Sequence, residues 1–287
     1  MKIYIIGASG LIGQKLFSTL NKKYKVIGTY NLNKTNTKFI KFDLEKDKIT
    51  KLSKKITNDD IFIILSAYTN PGWISENIDK TRKLNLLGTK KLIDQIIMFK
   101  SKIIFMSSVE VFDGKKKFFL ETDKPNPLNF YGKKKYEIEK YIQKKTKNFL
   151  ILRTSWNSDN ILHNRCVIEL TYNTIRNGNA KMAKDNLFSI TNIKDTCDII
   201  KKFIFSKNKI LHISNNKRIS RSILARRINY YSKKKFHFKI VNFSEIKFVE
   251  PRSKINLLRS TNQYIKNFSF KNIDNLIKKK TKLLDKT

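Results

Sequence analysis

The chain of 287 residues is predicted to be an α/β protein in which a doubly wound parallel sheet is followed by a smaller C-terminal lobe. Short apolar runs alternate with amphipathic stretches through the first half of the chain. Most of these runs are continuously apolar, which is typical of parallel strands covered on both faces. The regularity weakens after Arg153, so the predicted domains are 1–155 and 156–287, with segments near 187–214 returning to the first.

The elements follow from these patterns in chain order. Strands are predicted at Lys2–Ile6, Lys25–Tyr30, Lys38–Phe42, Ile61–Ser66, Ile103–Ser107 and Phe149–Arg153. Helices are predicted between them at Leu11–Asn21, Glu76–Phe99 and Tyr131–Lys145, with a weaker one at Ile49–Ile56. The lobe is predicted to hold helices near Val167–Arg176, Asp195–Phe205, Ser222–Tyr231 and Asn272–Leu284, and strands at Ile210–Ile213 and His237–Phe243.

Composition restricts the class of protein. A hydrophobic content of 40% is enough for a substantial core, and no apolar run approaches the ~20 residues that a membrane span needs. The apolar stretch at the N-terminus is too short for a signal peptide. Cys166 and Cys197 lack the spacing of a metal site and are interpreted as reduced, semi-buried residues. We therefore expect a cytoplasmic protein without a membrane partner.

The net charge of +38 suggests a polyanion partner at first sight. The lysines are dispersed in short runs, however, and do not form one block or tail. Lys, Asn and Ile are abundant together and share A/T-rich codons, so a compositional bias of the genome is the preferred explanation of the charge. We predict no nucleic-acid partner, with an anionic small-molecule substrate as the beneficiary of the positive field.

Three glycines near the N-terminus form the most informative motif. Gly7, Gly10 and Gly13 follow the first strand at G-x-x-G-x-x-G spacing and open the first helix. Gly7 permits a tight turn, Gly10 lets the backbone approach a phosphate, and Gly13 lets the helix pack on the strand. The backbone from Gly10 through Leu11 and Ile12 to Gly13 is thus predicted to hold a diphosphate at the positive end of the helix dipole.

A tyrosine and a lysine lie four residues apart on one face of the helix that follows the fifth strand. Tyr131 is a candidate acid, and the ammonium of Lys135 is expected to stabilise the phenolate and to lower the pKa of Tyr131. The fifth strand ends in Ser107 and Ser108 at the carboxyl edge, where ligands bind in such sheets. Asn85 is a polar residue on an otherwise apolar helix, and the simplest interpretation is a hydrogen bond to backbone.

Taken in order, these motifs resemble those of the extended short-chain dehydrogenases/reductases, and most closely their dTDP-4-dehydrorhamnose reductase branch. The motifs are Gly7 to Gly13, Ala67-Tyr68-Thr69, Asn85, Ser107 to Gly114, Pro127 to Lys135, and Arg153-Thr-Ser-Trp156. The resemblance is clear to about residue 200 and fainter through Glu250-Pro-Arg252 and Leu257-Leu258. It implies a Rossmann-type fold for the first domain and a substrate-binding role for the lobe.

The resemblance also implies roles for individual residues. Tyr131 would be the proton donor, Ser108 would orient a ketone, and Lys135 would position the cofactor ribose. Asn85 would support a water-mediated proton relay behind Lys135. Further matching positions are Asp43 and Leu44 beside the adenine, Ser66, Ala67 and Tyr68 in the loop after the fourth strand, and Val109, Glu110, Trp156 and Arg252 toward the substrate.

The expected cofactor is NADPH, in preference to NADH. NAD-selective sites usually place an acidic residue at the end of the second strand. Here that strand ends in Tyr30 and Asn31 with Lys34 nearby, and no carboxylate precedes Asp43. This neutral-to-basic corner accepts a 2′-phosphate that an acidic side chain would repel.

The expected activity is NADPH-dependent reduction of a 4-keto-6-deoxy nucleotide sugar for surface-polysaccharide synthesis. The branch usually has Asp-Tyr where this chain has Val109 and Glu110, which leaves the particular sugar open. Val109 cannot donate the proton that a dehydratase needs, which argues against that activity. An epimerase with the same residues and a non-catalytic subunit like the regulatory subunit of methionine adenosyltransferase are the alternatives.

No pattern in the sequence indicates a metal site. His163, His212 and His237 are widely spaced, and no cluster of His, Cys, Asp and Glu has ligand spacing. The sequence does not fix the oligomeric state, and a homodimer is compatible with it.

Overall fold

The computed structural model describes residues 1–162 and 166–287. The described chain divides into two compact units. The first unit comprises Met1–Val111, Pro125–Arg153 and Cys197–Leu211, and the second unit comprises Phe112–Lys124, Thr154–Thr196 and His212–Thr287. The second unit therefore includes the loop 112–124, which a single boundary at residue 155 leaves in the first domain.

The first unit is built on a parallel sheet with the strand order β11-β6-β5-β4-β1-β2-β3. Its strands are β1 (Ile3–Ile6), β2 (Val26–Tyr30), β3 (Ile40–Lys41), β4 (Ile61–Ile64), β5 (Lys102–Ser108), β6 (Phe149–Thr154) and β11 (Lys209–Ile213). The chain moves outward from β1 to β3 and then crosses to β4 on the other side of β1. The predicted doubly wound sheet is confirmed, and its switch point lies between β1 and β4, where ligands bind in this architecture.

The central strands are stable in this position because both faces of the sheet are covered. All four residues of β1 and all four residues of β4 are buried. β1 pairs in parallel with both β2 and β4. One core layer joins the sheet to α4 (Thr89–Met98) and α5 (Phe130–Lys145), with Ile93, Ile96, Ile138 and Ile142 at its centre. The continuously apolar runs in the sequence are these doubly covered strands.

The helices of the first unit differ from the predictions at two places. The stretch predicted as one helix over Glu76–Phe99 is a series of segments: α2 (Pro71–Glu76), α3 (Ile78–Thr81), a π-helical segment (Arg82–Gly88) and α4. Asn77 separates the first two because its φ of −132° and ψ of 48° are not helical. The weaker helix predicted at Ile49–Ile56 is a single 3₁₀ turn, Ile49–Lys51. The first helix, α1 (Leu11–Leu20), ends within one residue of its prediction.

The second unit has a core formed by three helices. These are α6 (Val167–Arg176), α8 (Arg221–Tyr231) and α10 (Ile273–Leu284). The other helices are α7 (Ile193–Phe203), which leads into the last segment of the first unit, and α9 (Gln263–Lys266). The short strands are β7 (Trp156–Ser158), β8 (Ala180–Ala183), β9 (Leu187–Phe188), β10 (Ile190–Asn192), β12 (Ile219–Ser220), β13 (Phe238–Val241) and β14 (Ile255–Asn256). Most of these strands were not predicted, because two to four residues carry too little periodicity.

Candidate active site

The turn from β1 into α1 has the geometry that the glycine motif predicts. Gly7 has a φ of +91°, and a Cβ there would lie 2.6 Å from Ser66 Oγ. A Cβ on Gly13 would lie 2.3 Å from the carbonyl oxygen of Gly7. The Gly7 N–H donates to Thr29 Oγ1 at 3.0 Å, which ties the turn to β2. Side chains are thus excluded where the helix begins.

The N-terminus of α1 is open to an anion. Gly10 occupies the N-cap without a side-chain hydrogen bond, and the first turn contains no acidic residue. The Gln14 N–H donates to the Gly10 carbonyl at 3.1 Å, so the amides of Leu11 and Ile12 precede this helical hydrogen bond. The backbone predicted to hold a diphosphate therefore presents donors and the positive end of the helix dipole.

The residues predicted near the adenine and ribose lie at the ends of β2 and β3. Tyr30 closes β2, and Lys34 Nζ is 5.9 Å from the centre of its ring, so the corner around Asn31 has positive charge. Leu44 is buried, and a Cβ on Gly88 would be 3.1 Å from its backbone oxygen. Asp43 Oδ1 accepts a hydrogen bond from the Glu45 N–H at 2.8 Å, which fixes its side chain in the turn after β3.

The loop after β4 is held by Asn85. Its Oδ1 accepts from the Tyr68 N–H at 2.9 Å, and its Nδ2 donates to the Tyr68 carbonyl at 2.8 Å. Asn85 is buried within the π-helical segment, and its side chain bonds to the loop after β4 and not to its own helix. Ser66 and Ala67 precede Tyr68 in this loop, and the Tyr68 ring is tilted by 37° against the Trp73 ring, with their centres 4.4 Å apart. The prediction of a backbone-bonded asparagine is confirmed, and its partner belongs to another segment of the chain.

Tyr131 and Ser108 are brought together at the start of α5. The Ser108 side chain lies close enough to the Tyr131 hydroxyl to act on its pKa. Asn129 caps the helix by accepting from the Gly132 N–H at 2.8 Å and donates to Glu110 Oε2 at 2.7 Å. The backbone at Gly132 approaches so closely that a Cβ there would be 2.0 Å from the Glu110 carbonyl oxygen. Asn129 and Gly132 were not predicted as site residues.

The pKa of Tyr131 is raised, contrary to the expectation from its lysine neighbour. Burial is the main cause, since Tyr131 is only 7% exposed, and the carboxylate of Glu110 acts in the same direction. The hydrogen bond with Ser108 lowers the pKa and is outweighed. Lys135 Nζ lies 5.8 Å from the centre of the Tyr131 ring, and the pKa is nevertheless raised because desolvation is the largest effect. Tyr131 therefore keeps its proton over the physiological pH range.

Lys135 is buried beside β5. Its Nζ donates to the Met106 carbonyl at 2.8 Å and lies 4.6 Å from the centre of the Phe105 ring. Burial lowers the pKa of Lys135 to about 8, and the nearby carboxylate of Glu139 acts in the opposite direction. The ammonium is thus close to losing its proton at neutral pH.

A buried ion pair behind Lys135 was not predicted. Glu139 Oε1 accepts from Arg153 Nε at 3.0 Å, and Glu139 Oε2 accepts from the Arg153 guanidinium at 2.6 Å. Ser107 also donates to Glu139 Oε1. The signal in the sequence was the four-residue spacing of Tyr131, Lys135 and Glu139 on one helical face.

The residues predicted to face the substrate lie in both units. Val109 is only 4% exposed, and its contact with a substrate stays a prediction. Glu110 follows it in a 3₁₀ turn, and its N–H donates to Ser108 Oγ at 3.2 Å. In the second unit, Trp156 lies under the guanidinium of Arg221 at 5.3 Å, and Arg252 stacks on Phe248 at 5.2 Å. Arg252 Nε is buried and has no hydrogen-bond partner in the described chain.

The histidines and cysteines do not form a further site in the part of the chain that is described. His212 Nδ1 is 3.0 Å from the Arg259 carbonyl, as expected of a structural histidine, whereas His163 lies outside the described residues. Cys166 and Cys197 are both buried, and neither forms a disulfide within the described residues. Over residues 1–162 and 166–287, no group of three or more His, Cys, Asp or Glu is placed to hold a metal ion. In the same residues, no helix is both long and apolar enough to cross a membrane.

Solved structures and curated relatives place this arrangement among known proteins. The crystal structure of a dTDP-4-dehydrorhamnose reductase from Bacillus anthracis, in complex with NADP, has a TM-score of 0.78 to this chain. The two are 20% identical and match over 96% of each chain, which is a likeness of fold.

Two curated relatives match part of the sequence. A dTDP-4-dehydrorhamnose reductase from Aggregatibacter actinomycetemcomitans is 30% identical over 159 residues, which are 54% of this chain and 51% of that protein. Methionine adenosyltransferase 2 subunit beta from Bos taurus is 26% identical over 153 residues, which are 53% of this chain and 46% of that protein. The matched region thus spans about half the length of these curated relatives.

A family model covers most of the sequence. The model described as the RmlD substrate binding domain matches residues 1–267 of this chain. The glycine turn, the doubly wound sheet and the Ser108–Tyr131–Lys135 cluster all lie within that match. The chain therefore belongs to the RmlD substrate binding domain family.

Proposed function

We propose that this protein reduces the ketone of a 4-keto-6-deoxy nucleotide sugar with NADPH. The observation that carries the proposal is the burial of Tyr131 beside the Ser108 side chain at the end of β5, with Lys135 one helical turn further along α5. A ketone needs a hydride at carbon and a proton at oxygen. A protonated, water-excluded tyrosine beside a second hydroxyl suits the proton transfer.

The proton is assigned to Tyr131. The phenol is protonated at neutral pH and can give its proton to the alkoxide that develops as a hydride adds to the carbonyl carbon. Ser108 donates a hydrogen bond to the same carbonyl oxygen and holds it in place. Lys135, with its ammonium directed to the Met106 carbonyl, supplies the positive charge nearest to the phenolate that remains. The carboxylate of Glu110 disfavours that phenolate, so the phenolate readily takes up a proton again.

The residues fit a dinucleotide cofactor. The uncapped N-terminus of α1 and the glycine cradle that a Cβ would fill suit a diphosphate. Tyr30, Asn31 and Lys34 at the end of β2 include no carboxylate, which favours the 2′-phosphate of NADPH over the free hydroxyl of NADH. A bound nicotinamide would supply the hydride, and the similar enzyme from Bacillus anthracis was crystallised with NADP. Equal affinity for NADPH and NADH would contradict this preference.

The second unit offers groups for the nucleotide sugar. Arg252 has a buried Nε without a hydrogen-bond partner among the described residues, and a guanidinium is well matched to diphosphate oxygens. Trp156 provides an aromatic surface. Because Val109 and Glu110 replace the residues typical of the rhamnose branch, dTDP-4-dehydrorhamnose is one substrate among several nucleotide sugars to be tested.

Two alternatives share this site. A nucleotide-sugar epimerase uses the same serine, tyrosine and lysine and retains its cofactor through purification. The similarity to methionine adenosyltransferase 2 subunit beta favours a partner-binding subunit as the second alternative. A dehydratase is disfavoured because Val109 lacks a proton donor and Glu110 is already bonded to Asn129.

The decisive experiment measures NADPH and NADH oxidation by the purified protein with dTDP-, UDP-, GDP- and CDP-linked 4-keto-6-deoxy sugars. Turnover with NADPH on one nucleotide series is the expected result and identifies the substrate class. Interconversion of sugars without net NADPH consumption would indicate an epimerase. Cofactor binding without turnover of any sugar would favour the non-catalytic, partner-binding subunit.

A further inference from the structure

Three polar side chains form a buried stripe along α5. Tyr131, Lys135 and Glu139 are spaced by four residues, so they lie one above the other on the face that packs against β5. Their exposed fractions are 7%, 6% and 0%. The stripe begins at the proposed proton donor and ends at a carboxylate that cannot reach solvent.

Arg153 occupies both oxygens of that carboxylate. The Nε and the terminal nitrogen of Arg153 donate to the two oxygens of Glu139 at 3.0 and 2.6 Å, and Ser107 donates to Oε1 as well. Arg153 is 2% exposed. A buried ion pair costs desolvation free energy that its own attraction often fails to exceed, so stability alone is a weak reason for its presence.

The balance of charge around Lys135 suggests another reason. Glu139 faces it from the same helix, and Arg153 lies beyond Glu139 on β6. β5 contributes the Met106 carbonyl and the Phe105 ring, and Glu110 lies on the far side, beside Tyr131. Two cations therefore share one carboxylate, and the bidentate contact assigns that carboxylate to Arg153. The ammonium of Lys135 remains directed to the end of β5.

We propose that Glu139 and Arg153 are a positioning pair for Lys135. The negative charge of Glu139 keeps the buried ammonium protonated, and Arg153 prevents Glu139 from drawing that ammonium away from Tyr131. The part of this inference that concerns catalysis rests on the proposed function, whereas the control of the charge on Lys135 does not depend on it.

The two members of the pair must act in opposite directions. Removing the charge of Glu139 leaves Lys135 and Arg153 as buried like charges, which lowers the pKa of Lys135 below its value of about 8. Removing Arg153 leaves Glu139 free to pair with Lys135, which raises that pKa. A purely structural ion pair would destabilise the protein in both variants without this opposite movement.

The first test needs neither cofactor nor substrate. The free energy of unfolding in urea is measured from pH 6 to 10 for the wild type and K135M, and again for each in the E139Q and R153Q backgrounds. Lys135 has a pKa of about 8 when folded and about 10.4 when unfolded, so the unfolded state binds the extra proton between these values. Each protein that keeps Lys135 is therefore less stable than its K135M partner at low pH. The difference in their free energies of unfolding is constant there and begins to shrink when the pH reaches the pKa of Lys135 in the folded state.

The expected result is a shift of this onset. It should move down by about one pH unit or more in E139Q and should move up in R153Q. The matched control is E137Q, which removes a partly exposed carboxylate of the same helix, α5. Glu137 binds Lys90 and Lys134, and its loss should leave the onset at the wild-type pH. An onset in E139Q that equals that of the wild type would overturn the inference.

A second pair of variants tests the same proposal if E139Q does not fold. E139Q/R153M, with and without K135M, removes both charges of the pair, and loss of a whole buried ion pair is tolerated better than loss of one partner. Because Glu139 is the nearer of the two, the onset should still fall below that of the wild type, and an unchanged onset again contradicts the proposal.

Titration of NADPH affinity against pH then separates the two claims. If Lys135 holds the cofactor ribose, the loss of affinity at high pH should move with the onset in each variant. Failure of the wild type to bind NADPH, together with the expected shifts of onset, would refute the proposed function and leave the positioning pair intact.

Discussion

At the scale of single residues, the site depends on burial more than on neighbouring charge. Tyr131 was expected to have a lowered pKa because Lys135 lies one turn away. Its environment instead raises the pKa, since it is closed to water and has Glu110 as the nearer charge. The phenol is therefore protonated before a hydride arrives, as an ordinary tyrosine would be, and the raised pKa makes it a weaker acid in the absence of ligands.

Y131F tests the role of the phenol directly. It removes the proton donor and keeps the ring, so turnover should fall by about 10²- to 10⁴-fold while NADPH affinity changes little. Steady-state kinetics and a fluorescence titration of NADPH measure the two effects. The matched control is Y136F on the same helix, where the ring lies 4.9 Å from Lys140 Nζ, and it should retain wild-type turnover. Full activity in Y131F would refute the assignment.

Asn85 allows a second prediction, because its amide satisfies two backbone groups of another segment. N85A leaves the N–H and the carbonyl of Tyr68 without these partners, which should cost about 2 kcal/mol of unfolding free energy. The loop after β4 lines the proposed cofactor site, so NADPH affinity should fall as well. Urea unfolding and an NADPH titration measure both effects. Unchanged stability would show that water replaces the amide without loss.

At the scale of elements, close backbone contact fixes where the site helix lies. α5 meets the turn after β5 at Gly132, where its backbone lies against the carbonyl of Glu110. The Asn129 cap ties the same two segments together through Glu110 Oε2. Tyr131 is therefore positioned by its immediate neighbours in the chain, and neither of them has a role in proton transfer.

G132A should disturb this contact. The added Cβ would lie 2.0 Å from a backbone oxygen that cannot rotate away. We therefore expect the free energy of unfolding to fall by about 1–3 kcal/mol. Turnover should fall as well, because the shift displaces Tyr131. G72A is the control, since a Cβ at Gly72 would meet only Asn70 Oδ1 at 3.5 Å, an ordinary contact. Equal stabilities of the two variants would show that α5 adapts without strain.

At the scale of the whole molecule, the dominant property is a net charge of +38. The chain has 61 Lys and Arg residues and only 23 Asp and Glu residues, so its positive charges far outnumber the carboxylates that could neutralise them. Mutual repulsion of this size destabilises a folded chain and is reduced by salt. The absence of a nucleic-acid partner remains a prediction, and steep salt-dependent binding of DNA or RNA would contradict it.

We therefore expect the melting temperature to rise as NaCl is increased from about 10 to 300 mM, since the Debye length falls over this range. Differential scanning calorimetry at pH 7 measures the change. A neutral osmolyte of equal osmolality serves as the control for effects other than screening. A melting temperature that falls with salt would mean that the surface ion pairs outweigh the repulsion among the lysines.

The acid side of the stability profile has a separate cause. A hydrogen bond from the Asp43 N–H lowers the pKa of Asp47, and one from Lys116 lowers that of Asp123. Depressed carboxylates stabilise the fold above their unfolded pKa and lose that contribution as the pH falls through the folded value. Far-UV circular dichroism should therefore show unfolding that begins below about pH 4. The double variant D47N/D123N should lose less of its stability between neutral pH and pH 4 than the wild type.

The sequence by itself determined the sheet and the positions of its main motifs. The apolar runs of β1 and β4, the glycine turn and the long helix α5 were predicted within one or two residues, because periodicity and glycine geometry are local properties. The spacing of Tyr131 and Lys135 was sufficient to place them on one face. The short strands of the second unit and the break at Asn77 were missed, because a few residues carry no periodic signal.

Only the tertiary structure decided the environment of these residues. That Asn85 binds Tyr68, that Val109 is buried, and that Glu139 pairs with Arg153 all depend on segments far apart in the chain. The pKa values of Tyr131 and Lys135 follow from the same source, since desolvation is set by everything that packs around a group. The sequence determined which groups are present, and the packing of distant segments decided their charge.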